Sequence, residues 1–89
     1  MSNDIHPYTI EIGDDALSSL AARIRETRWP EAETPDDWSQ GIPLAYTREV
    51  AAYWADQYDW RATEARLNAL PQFTTELDGL DIHFLHIRS

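Results

Sequence analysis

The stretch Phe73-Thr74-Thr75-Glu76-Leu77-Asp78-Gly79-Leu80-Asp81-Ile82-His83-Phe84-Leu85-His86-Ile87-Arg88-Ser89 decides how this chain folds. Two runs rich in apolar and β-branched residues flank Asp78-Gly79, a pair that accepts positive φ at both turn positions, so the stretch reads as a β-hairpin. Alternation along the second arm puts Ile82, Phe84 and His86 on one face and His83, Leu85 and Ile87 on the other. Both faces therefore ask for partial burial, as in a strand inside a layered sheet. The expectation is that the neighbouring strands lie in polypeptide outside these 89 residues or on a partner chain. The alternative is a two-stranded ribbon covered on one side by the preceding helices and exposed on the other.

Working outward from the hairpin, Pro71 stops a short helix running from Trp60 to about Leu70. Asp59 is placed to cap it, Leu67 and Leu70 face inward, and Arg61 and Glu64 form a spaced charge pair. A second helix opens at Pro43 and runs through Leu44, Val50, Ala51 and Trp54 to about Gln57, with Tyr46 and Tyr53 widening its aromatic face. Between Glu31 and Ile42 the turn formers Pro35, Asp36, Asp37, Ser39 and Gly41 predict a loop, in which Trp38 is the one large apolar residue. A lone tryptophan in a polar loop usually pins that loop onto something apolar. Gly13-Asp14-Asp15 starts the first helix, Leu17, Leu20, Ala21 and Ile24 recur at helical spacing, and Trp29-Pro30 ends it. Ahead of it, Tyr8 to Ile12 alternates and predicts a short strand or extended arm. The expected fold class is α+β in one domain spanning 1–89: an N-terminal strand or arm, about three helices and a C-terminal hairpin.

Composition narrows the function. Hydrophobic residues make up 43% and aromatic residues 11%, a folding composition, although a chain this short buries only about 60 to 65% of its unfolded surface. Four Trp, four Tyr and two Phe suit either a small core or a surface that another domain covers. Seven basic against sixteen acidic residues give a net charge of -9, a field that repels phosphate backbones and anionic headgroups, so neither nucleic acid nor membrane is expected as a partner. Cysteine is absent, which excludes a disulfide scaffold. The amino end has neither a basic start nor an apolar segment, so a soluble cytoplasmic protein is the default expectation.

No reacting group stands out. Ser18-Ser19 lack the glycine neighbours of a strained nucleophile turn. His83 and His86, three apart on a strand, point to opposite faces and read as structural rather than as ligands of one metal. Asp14-Asp15, Asp36-Asp37 and Asp78 with Asp81 each have a cap or turn explanation, and glycines at 13, 41 and 79 cannot build a phosphate loop. The residues alone therefore predict no catalytic residue, no metal and no cofactor.

Thr27-Arg28-Trp29-Pro30, Trp38-Ser39-Gln40-Gly41-Ile42-Pro43, Tyr53-Trp54 and Tyr58-Asp59-Trp60-Arg61 follow one another in an order that continues through Glu64, Leu67-Asn68, Pro71-Gln72-Phe73, Asp78-Gly79 and Ile82 to His86, closing on Arg88-Ser89. This pattern resembles the N-terminal domain of the microsomal-type and juvenile-hormone-type epoxide hydrolases and covers nearly the whole chain. The resemblance implies a domain that wraps around an α/β-hydrolase core and its lid, with the hairpin as the first strands of the core sheet. The family's His-Gly-x-Pro oxyanion stretch, aspartate nucleophile, lid tyrosines and histidine with its acidic partner have no counterpart here, so the resemblance transfers no catalytic role.

It does imply a packing role. Trp29, Trp38, Trp60, Phe73, Ile82, Phe84, Leu85 and Ile87 are the expected contacts with an α/β-hydrolase catalytic domain in cis or trans. Trp54 is expected to be mostly internal and Trp38 mostly at the junction. The competing expectation is a stand-alone module that docks a partner or self-associates through the free hairpin edge.

Overall fold

A computed structural model describes residues 4–89. Its elements are β1 (Ile5–Pro7), α1 (Asp14–Arg25), α2 (Leu44–Asp56), α3 (Trp60–Asn68), β2 (Gln72–Leu77) and β3 (Leu80–Leu85). Three helices and one three-stranded antiparallel sheet make the fold α+β, as the sequence predicts. The chain groups into two compact units: residues up to Glu11 together with Asp59–Ser89, and Ile12–Tyr58.

In the first unit the hairpin forms as expected. Asp78 has φ 52° and Gly79 φ 80°, the left-handed pair that a two-residue loop needs to match strand twist. The sheet order is β1-β2-β3, so the ribbon has a third member taken from the amino end. That strand is Ile5–Pro7 and not Tyr8 to Ile12 as the alternation suggested. Tyr8 still donates its N–H to the Gln72 carbonyl at 2.9 Å, but Ile10 is held by a side chain. Its N–H donates to Asn68 Oδ1 at 2.8 Å and its carbonyl accepts from Asn68 Nδ2 at 2.9 Å, so one amide replaces a neighbouring strand. Asp59 caps α3 by accepting from the Ala62 N–H at 3.2 Å.

Register sorts the side chains of this sheet. Phe73 opposes Phe84, Thr75 opposes Ile82 and Ile5, and Leu77 opposes Leu80, which makes one face apolar. The other face carries Gln72 opposite Leu85, Thr74 opposite His83 and His6, and Glu76 opposite Asp81. The expectation that both faces of the last strand are apolar is thus corrected: apart from Leu85 the second face is polar. Ile87 falls outside β3, which ends at Leu85.

In the second unit α1 turns Leu17, Ala21 and Ile24 to its half-buried side, and α2 does the same with Leu44, Thr47, Ala51 and Ala55. Arg25 joins the two C-terminal ends, its Nη2 2.9 Å from Asp56 Oδ1. Because both partners are exposed, this pair contributes at most about 1 kcal/mol. Helix α1 stops at Arg25, before Trp29-Pro30, because Thr27 Oγ1 donates to the Ile24 carbonyl at 2.7 Å and closes the last turn. Helix α2 begins at Leu44 with Pro43 as its cap residue, and the Leu44 N–H donates to Glu33 Oε2 at 3.1 Å. A carboxylate at a helix start is favoured by the dipole.

Candidate functional site

Among the described residues no large apolar side chain is fully buried, and the one buried residue is Gln72, 6% exposed. A folded chain whose apolar residues are at best half-buried, with many exposed, points to surfaces meant to be covered. Two such surfaces are present, one in each unit.

The first is the apolar sheet face with the free edge of β3. Phe73 and Phe84 are half-buried with ring centroids 5.7 Å apart, and His86 lies on the same side at 6.4 Å from Phe73. Around them Ile5, Leu77, Leu80 and Ile82 are exposed, Leu80 by 66%. Leu85 and Ile87, at the end of the chain, are exposed too. Strand β3 pairs only with β2, so its outer row of backbone groups has no neighbour in the sheet.

The polar face beneath is finished. Gln72 Nε2 donates to the Leu67 carbonyl, which turns Oε1 toward His83 Nε2 at 2.9 Å. A carbonyl oxygen only accepts, so His83 Nε2 carries the proton. The His83 ring meets Tyr8 edge-on, centroids 5.1 Å apart. His83 and His86 therefore sit on opposite faces, as strand periodicity requires. Among the described residues no group of three or more His, Asp or Glu side chains is placed to hold a metal ion.

The second surface is the outward side of α2 with the loop before it. Trp38 is 58% exposed and packs on Tyr46 with ring centroids 5.3 Å apart, tilted by 59°. Tyr46, Val50, Tyr53 and Trp54 are all about half exposed. This corrects the expectation that Trp54 is internal. Ala51 and Ala55 take the inward positions of α2, so the large rings point away from it. The helical spacing of Tyr46, Val50 and Tyr53 shows that they share a side, but periodicity does not say which side faces in; the small residues on the opposite side are the signal that was available. Of the other tryptophans, Trp29 is half-buried in a crevice with Ile24, Ala51 and Ala55. Trp60 is half-buried and donates Nε1–H to Glu64 Oε2 at 3.2 Å, while Arg61 holds the other oxygen at 2.9 Å.

The likeness to known proteins agrees with this architecture. The sequence profile of the epoxide hydrolase N terminus matches residues 5–89. A protein of Stigmatella aurantiaca provisionally named an epoxide hydrolase is 53% identical over 96% of this chain, and epoxide hydrolase 1 of Sus scrofa is 32% identical over 94%. The solved structure of the Aspergillus niger epoxide hydrolase superposes on 96% of the chain with a TM-score of 0.83 at 35% identity. The chain spans only 19%, 18% and 22% of those three proteins respectively. By profile, sequence and fold, the chain belongs to the epoxide hydrolase N-terminus family.

Proposed function

We propose that this chain is the non-catalytic N-terminal domain of an epoxide hydrolase, a packing element whose hairpin supplies the first strands of an α/β-hydrolase sheet. The observation that carries the reading is the open edge of β3, where Leu80, Ile82 and Leu85 are exposed beside backbone groups with no neighbouring strand. A further strand laid on that edge completes the ladder, and a layer packed on the sheet covers Leu80 and Ile82 on one face and Leu85 on the other. Covering Leu77, Leu80, Ile82, Leu85 and Ile87, each already partly shielded, contributes about 1 kcal/mol apiece. In this reading Phe73, Ile82, Phe84, Leu85 and Ile87 meet the core, and Trp29, Trp38 and Trp60 brace the core and its lid. The parent enzyme adds water to an epoxide to give a vicinal diol, and this chain contributes no reacting group.

The test is amide exchange in β3, measured in the chain alone and after mixing with the part of the Stigmatella relative that follows the matched segment. Slowed exchange at Asp81, His83 and Leu85, whose N–H groups point to the open edge, in the mixture alone is the expected result; unchanged exchange overturns the proposal. The pure chain is expected to show no turnover of styrene oxide. The same free edge favours a second reading, self-association, which predicts a mass that doubles with concentration and β3 amides that slow in the chain alone.

A further inference from the structure

The outward side of α2 is aromatic and carries charge of only one sign. Successive helical residues are 100° apart, so Tyr46, Glu49, Val50 and Tyr53 share one side of α2 while Arg48 lies on the other with Ala51, Ala52 and Ala55. Trp38 packs at a tilt on Tyr46 from a loop whose exposed Asp36 and Asp37 immediately precede it. Every charge on this patch is therefore acidic, beside two ring systems that remain about half exposed.

We infer that Trp38, Tyr46, Glu49 and Tyr53 form a docking face for a basic segment in the remainder of the same polypeptide, with an arginine or lysine side chain lying against the Trp38 and Tyr46 rings. The inference rests on the reading of the chain as one part of a longer hydrolase, and names the chemistry of one contact within it. A cation over an aromatic face is drawn by the ring quadrupole, and the alkyl stem of Arg or Lys covers apolar surface while its head reaches a carboxylate. Glu49, on the Tyr46 and Tyr53 side of α2, and Asp36, two residues before Trp38, are the carboxylates offered to that head. A second copy of this chain is the wrong occupant, because it would set acidic patches of two molecules at -9 each against one another. The relatives are about five times longer than the matched segment, which leaves ample polypeptide to supply the cation.

The deciding experiment follows the four indole Nε1–H signals of the isotope-labelled chain during titration with a hexapeptide of alternating leucine and arginine. The Trp38 signal is expected to move, and the Trp29 and Trp60 signals to stay. Asp36→Lys with Glu49→Lys is expected to weaken binding at least tenfold, while the charge-matched Glu26→Lys with Glu76→Lys changes it less than twofold. Equal losses in the two double variants, or equal binding of a leucine–serine hexapeptide, overturn the inference. Association with the remainder of the Stigmatella relative then fixes the source of the cation. If Ile82→Asp weakens that association and Asp36→Lys with Glu49→Lys does not, the docking face is wrong and the domain reading stands. If the unaltered chain does not associate at all, the domain reading falls and the inference with it.

Discussion

The two faces of one small sheet are finished to different degrees. On the polar face Gln72 serves both Leu67 and His83 and Tyr8 closes over the imidazole, whereas on the apolar face Ile5, Leu77, Leu80 and Ile82 remain open to water. The difference follows from unequal costs. A shielded amide without partners costs about 1 to 3 kcal/mol and must be satisfied within the chain for the chain to hold its shape. An exposed leucine merely forgoes a gain, so its burial can be left to a neighbouring domain.

This contrast is breakable. Gln72→Ala removes a buried group that serves two partners, and the isolated chain is expected to lose about 2 to 3 kcal/mol in urea unfolding followed by circular dichroism. A loss below about 0.5 kcal/mol would show that the polar face is not what holds the sheet. Asn68→Ala leaves the Ile10 N–H and carbonyl without their side-chain partner nearer to solvent, with an expected loss of about 1 to 2 kcal/mol by the same measurement. On the open face Ile82→Thr keeps the β-branch and is expected to change the isolated chain's stability by less than about 0.5 kcal/mol. The same variant should weaken association with a catalytic domain, so a large effect on the chain alone breaks the contrast from the other side.

The smallest effect concerns Asp37, held below the usual aspartate value of 3.8 by hydrogen bonds from the Ser39 side chain and then its backbone N–H. A lowered carboxyl value means that the ordering is complete above 3.8 and is lost as pH falls through the lowered value. The Ser39 amide signal is expected to move in that acid range.

What was readable in the sequence was local. Asp78-Gly79 announces its turn because two adjacent residues decide it, and Asp59 announces a cap three residues from the N–H it serves. What escaped depends on distance along the chain. Asn68 finds Ile10 across 58 residues, which is why alternation alone points to Tyr8 to Ile12 and not to the strand Ile5–Pro7. Glu33 likewise finds the start of α2 from eleven residues away. Of the expected contact surface, Ile82, Leu85, Ile87 and Trp38 are exposed and Phe73, Phe84, Trp29 and Trp60 half-buried. Sequence places Trp54 in the interior because large apolar residues usually fill one; here Ala51 and Ala55 take the inward positions of α2.

Pro7 gives the sheet a direction of growth. It sits in β1, three residues long, and has no N–H to offer an incoming strand, while β3 at the opposite rim holds six residues and no proline. A newcomer therefore has one favourable place to add, and extension of this sheet is polar, capped at the amino-terminal rim and permissive at the other.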